Sequence, residues 1–112
     1  MVGDKMVLKY GDLVKWFVVK MVGASSKYIE YISFRTKAEA KYWVNSYRKE
    51  CMIDNVIHSH FISVEQHSGF VQDVINYNPR IGDKLVTILC FEQRSEVVLE
   101  SKYLTLVDSP SA

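Results

Sequence analysis

The stretch Thr36-Lys37-Ala38-Glu39-Ala40-Lys41-Tyr42-Trp43-Val44-Asn45-Ser46-Tyr47-Arg48-Lys49-Glu50-Cys51 decides how the rest of the chain is read. Its first four residues form a capping-box pattern: the Thr36 oxygen can accept from the Glu39 amide while the Glu39 side chain reaches back. Behind it, Ala40, Trp43, Val44, Tyr47 and Cys51 follow i, i+3, i+4, i+7, i+11 spacing, which gathers them into one stripe of an α-helix. Lys37, Lys41, Asn45 and Arg48 lie between them, and Arg48 and Lys49 suit the negative end of the helix dipole. Asp54-Asn55 is expected to end a helix of about four turns. A helix with one apolar stripe needs a second layer to bury it.

Working outward, the flanks supply strands for that layer. Val14–Val22 is rich in β-branched and aromatic residues and has no breaker. Val14, Trp16 and Val18 fall on one face of it, and Phe17, Val19 and Met21 on the other. Gly23-Ala24-Ser25-Ser26 is turn chemistry, and Tyr28–Phe34 reads as the second arm of a hairpin. After the helix, Val56–Val64 reads as a strand. Ser68 to Tyr77 places Phe70, Val71, Val74 and Tyr77 at helical spacing and predicts a short helix capped by Ser68, although its β-branched content also suits a strand. Asn76–Gly82 is a loop around Asn78-Pro79. Leu85–Glu92 is apolar on both faces and predicts a central strand covered on both sides. Gln93-Arg94-Ser95-Glu96 fits a hairpin loop, and Val97–Val107 is a last strand region, bent near Glu100–Lys102.

The order is therefore β-β-α-β-(short α)-β-β. It predicts an α+β fold with a mostly antiparallel sheet of about five strands and one main amphipathic helix. No linker or low-complexity tract interrupts the chain, so residues 1–112 are expected to form a single domain, with Asp108–Ala112 as a frayed tail. One short echo links Tyr10-Gly11-Asp12 to Ile81-Gly82-Asp83; Gly-Asp turns before strands account for it.

The bulk numbers exclude several classes. With 48 % hydrophobic and 24 % charged residues, disordered and fibrous chains are disfavoured, and 112 residues suffice for one core without disulfide staples. Cys51 and Cys90 sit in no Cys-x-x-Cys pair and read as small core fillers in a reducing compartment. Asp4 and Lys5 interrupt the first residues, which argues against a signal peptide, and the longest apolar runs are too short to span a bilayer. The expected location is the cytoplasm, or that of a host cell, with no membrane partner. Net charge is only +1, but residues 1–50 carry ten Lys/Arg against five Asp/Glu and residues 51–112 four against eight, giving halves of +5 and −4. A surface with one basic and one acidic face would follow unless the halves interleave.

Three constellations could carry function. His58-Ser59-His60 puts two imidazoles on one face of a strand, with Glu65 and then His67 following. His58, His60 and Glu65 could bind a divalent metal and so build a metal-dependent enzyme, but no His-Glu-x-x-His or Cys-His spacing supports them. Paired His-x-Ser/Thr chemistry has only half its machinery here, and no nucleophile elbow or phosphate loop exists. Cys90, mid-strand among Ile88, Leu89 and Phe91, reads as buried and inert. The second constellation interleaves cations and rings: Lys27, Tyr28, Tyr31, Arg35 and Lys41 could hold RNA or single-stranded DNA, but the RNP-type signature is missing. The third is the aromatic content, seven Tyr, five Phe and two Trp, which suits protein interfaces and edge-strand pairing.

The expectation is a non-catalytic protein-binding module that needs no cofactor, of adaptor or inhibitor type, acting on another protein or on a second copy as a homo-oligomer. Phage and mobile-element accessory proteins that act on a host factor are the analogy. The alternative is a nucleic-acid binder. The protein-binding reading requires an exposed apolar-aromatic patch or an open sheet edge.

Overall fold

A computed structural model describes residues 8–22, 29–53, 61–78 and 83–107. Strands β1 (Leu13–Val22) and β2 (Ile29–Phe34) precede helix α1 (Lys37–Ile53), followed by β3 (Phe61–Asn78), β4 (Asp83–Cys90) and β5 (Ser95–Glu100). A 3-10 turn at Ser101–Tyr103 leads into the short β6 (Thr105–Leu106), which is the bend expected in the last strand region. The sheet runs β2-β1-β3-β4-β5, with β6 paired to β1. The β1–β2, β1–β6, β3–β4 and β4–β5 pairs are antiparallel, and with one helix this is the α+β class expected from the sequence. Among the described residues, no helix is long and apolar enough to cross a membrane.

The chain forms two compact units, residues 16–66 and residues 1–15 with 67–112. In the first, β1 and β2 pair from Phe17↔Phe34 to Val22↔Ile29. The helix stripe packs as its spacing requires: Ala40 and Val44 join Val19 in a core that also holds Phe17, Met21, Ile32, Phe34, Trp43, Ile62 and Val64. Trp43 stacks on Tyr47 at 5.1 Å and meets Phe34 at 6.3 Å. The side chain of Cys51 lies outside the described residues. The cap forms at Thr36, whose hydroxyl accepts from the Glu39 amide (3.2 Å) and donates to the Glu39 carboxylate (2.8 Å). Thr36→Ala is expected to cost about 1 kcal/mol, read as a lower urea midpoint at unchanged slope. α1 continues to Ile53, so Arg48 and Lys49 precede its last turn, which carries no basic residue.

The second unit corrects two further expectations. Ser68–Tyr77 is not a short helix but part of the long strand β3. Its pairing with β4 slips between Val71 and Asp73, because Val71 faces Ile88 while Asp73 faces Thr87. This β-bulge inserts one residue and reverses the side-chain parity. Val71 and Val74 therefore share a face at a spacing of three, which imitates a helix. β4 is central, as expected, but it is not covered on both sides. Its inner side chains Val86, Ile88 and Cys90 are buried, whereas outward Leu89 is 42 % exposed. The Val56–Val64 strand is described only from Phe61, and Asp54-Asn55 and Asp108–Ala112 lie outside the described residues.

Two glycines hold this unit in register. Gly11, at φ +87°, makes a turn that side-chain-bearing residues rarely adopt. There Asp12 accepts from the Lys9 amide (3.0 Å), and the Gly11–Asp12 backbone bonds both polar groups of the bulged Val71, at 2.8 and 2.9 Å. Gly69 pairs with Cys90, and its missing side chain leaves room for the Leu89 carbonyl.

Candidate functional site

Of the residues anticipated for nucleic acid, Lys27 and Tyr28 lie outside the described residues. Arg35 and Lys41 are exposed, and Tyr31 is half-buried. Ile32 and Phe34 pack into the core with Ala40 and Val44 of α1, so Tyr31 alternates to the other face of β2. The structure thus does not gather Tyr31 and Lys41 onto one surface. For the anticipated metal set, His58 and His60 lie outside the described residues, and Glu65 accepts from the Ser63 hydroxyl at 3.3 Å. A shallow depression of about 590 Å³ beside α1 is lined by Phe34, Ala38, Glu39, Tyr42, Trp43 and Ser46. Its one ionisable carboxylate, Glu39, is already engaged in the helix cap.

The chemistry concentrates elsewhere, where β3 and β4 pair and the chain turns into β5. His67 and Cys90 are each 1 % exposed. Cys90 Sγ lies 3.7 Å from His67 Nδ1 and 3.7 Å from Glu92 Oε1. Glu92 is at the surface, but its carboxylate turns inward to accept from the Ser68 amide (2.8 Å) and the Ser68 hydroxyl (3.3 Å). Gln93 completes the group: its backbone amide approaches Cys90 Sγ at 3.5 Å, and its side-chain nitrogen lies 3.3 Å from His67 Nδ1. Strand alternation explains the convergence. His67, Gly69 and Val71 share the inner face of β3, and Gly69↔Cys90 is a register pair.

Burial is the largest influence on Cys90 and pushes its thiol up; the Gln93 and Glu92 amides pull it down, and the Glu92 charge and hydrogen bond push it up again. The thiol is therefore protonated at neutral pH, which is the reverse of an activated nucleophile. For Glu92, partial burial is the largest influence and works upward. Bonds from the Ser68 amide, from its own amide and from the Ser68 hydroxyl, together with the His67 charge, outweigh it and hold the carboxyl below its ordinary value. A neutral thiol, an imidazole and an ionised carboxylate thus face one another. No sequence motif joins His67 to Cys90, and a cysteine among Ile88, Leu89 and Phe91 carries the signature of a core filler.

The opposite face of the same three strands has a different character. The register places Phe70-Leu89-Glu96, Asp73-Thr87-Val98 and Ile75-Leu85-Glu100 in three rows on one side. Phe70, Leu89, Val98 and Ile75 are 42 %, 42 %, 58 % and 53 % exposed. Phe91, 45 % exposed, extends this face and meets Phe70 edge to face at 5.1 Å. Every charge in the rows is negative; Lys102 reaches Glu100 from the 3-10 turn at 3.4 Å.

Compared with known proteins, the chain matches no family model, no curated protein and no solved structure.

Proposed function

We propose that this chain is a non-catalytic protein-binding module, and that the β3-β4-β5 outer face receives an apolar segment flanked by Lys or Arg. The observation that carries this reading is the composition of that face. Phe70, Phe91, Leu89, Val98 and Ile75 expose on the order of 400 Å² of apolar surface, within the size range of the largest patch on a monomer, which is often functional. That is about half of what one partner contributes to a standard interface, which suits a peptide-sized ligand. Asp73 and Glu96, with Glu100 partly offset by Lys102, supply charges of one sign, which would select a basic partner and speed encounter. Among the described residues β5 ends the strand order, so an extended segment could also pair with its outer edge.

The test uses a labelled peptide of alternating Leu and Lys, with a Leu-Glu peptide as control. Saturable binding of the Leu-Lys peptide is expected, weakened at least about tenfold by Val98→Glu, a change at an exposed position that spares the core. Equal binding by wild type and Val98→Glu would refute the reading. So would a dimer that Val98→Glu dissolves, because the face would then serve a second copy.

A further inference from the structure

We infer that His67, Cys90 and Glu92 form a binding site for a zinc-class divalent cation, a role independent of the peptide-docking face. The three donor atoms, one nitrogen, one sulfur and one oxygen, all lie within 4.8 Å of one another. Zinc bonds of about 2.3 Å to sulfur and about 2.05 Å to nitrogen or oxygen, at tetrahedral angles, place sulfur about 3.6 Å from the nitrogen and the oxygen, and those two about 3.3 Å apart. Both edges that meet at Cys90 Sγ are 3.7 Å, so the sulfur already stands at tetrahedral distance from its two neighbours. The remaining edge, between the His67 nitrogen and the Glu92 carboxylate, lies within 4.8 Å and would close to about 3.3 Å around a bound ion.

The donor set also selects the ion. A thiolate with an imidazole disfavours magnesium and calcium, which prefer all-oxygen shells, and favours zinc or cobalt. The surroundings have the form of an outer shell. Ser68 fixes the Glu92 carboxylate with two bonds, and the Gln93 amide points at the sulfur, where it would stabilise a bound thiolate. The Gln93 side chain, now against Nδ1, is the group that gives way. His67 and Cys90 are buried, and Glu92 is a surface residue whose carboxylate turns inward. Binding replaces the S–H bond by an S–metal bond and releases that proton to solvent. With three protein donors, the fourth position goes to water.

Cobalt titration of the chelator-stripped full chain tests this. One equivalent is expected to raise intense tetrahedral visible bands and a thiolate charge-transfer band in the near ultraviolet, and zinc is expected to abolish them. Cys90→Ser is expected to lose the charge-transfer band, whereas Cys51→Ser keeps it. Glu92→Gln, at an exposed position and keeping a carbonyl oxygen to accept from the Ser68 amide, is expected to weaken zinc binding at least about tenfold in chelator competition while circular dichroism stays that of wild type. The inference is overturned if the folded wild type gives no band, if the band follows Cys51, or if Glu92→Gln binds zinc as wild type does.

Discussion

Trp16→Ala is expected to remove about 3–5 kcal/mol of stability, because it empties the site of a large, wholly enclosed ring. Trp16 is 0 % exposed and heads the fully buried side chains by volume among the described residues. On β1 it shares a face with Val14 and Val18, both also fully buried, so the strand has little freedom to collapse into the space left behind. Domains of this size have total stabilities of roughly 5–15 kcal/mol, so the loss is a large share of the whole. At about 4 °C per kcal/mol it lowers Tm by about 12–20 °C. Trp16→Phe keeps most of the ring volume and is expected to cost only about 1–2 kcal/mol. Thermal unfolding followed by near-ultraviolet circular dichroism reads both, and a Trp16→Ala protein melting within a few degrees of wild type would contradict the packing described.

Gly69→Ala is expected to be nearly as damaging, although it adds one methyl group. A Cβ at this position would collide with the Leu89 carbonyl oxygen and stand 2.7 Å from Ile88 Cγ2. The first obstacle is backbone, held in the β4 ladder, so no rotamer change relieves it. β3 must move away from β4 where Gly69 faces Cys90. The expected cost is about 3 kcal/mol or more, above the ordinary run of single substitutions. The double variant Gly69→Ala/Ile88→Ala separates the two obstacles. It removes the side-chain clash but leaves the carbonyl, so it is expected to be no more stable than Gly69→Ala. Recovery of the urea midpoint in the double variant would show that the side chain was the true obstacle.

Much of the fold was legible in the sequence, for identifiable reasons. α1 announces itself because its cap and its stripe are local and agree with each other at Thr36, Glu39, Ala40 and Val44. The β1–β2 hairpin is local too. The second half of β3 was misread because the bulge at Val71 hides a strand behind helical spacing, and only the pairing with β4 exposes it. The candidate site was lost with it. His67 and Cys90 are 23 positions apart, and no spacing rule joins them. Once Ser68–Tyr77 is taken as a strand, its antiparallel pairing with β4, Gly69 facing Cys90, brings His67 beside Cys90 and Glu92. The apolar outer face was equally hidden, because a run that is apolar on both sides reads the same whether one side is covered or bare.

The bare side has a consequence for how the protein behaves as a colloid. At a net charge of +1, two molecules drifting together feel almost no overall repulsion. What would keep their greasy surfaces apart is the local hedge of Asp73, Glu96 and Glu100, the last partly offset by Lys102, and its reach shrinks to about 8 Å at physiological ionic strength. Added sodium chloride near neutral pH is therefore expected to promote clustering, visible as rising light scattering, where a protein of high net charge would tolerate it. A flat salt series would show that these three carboxylates are not what holds the molecules apart.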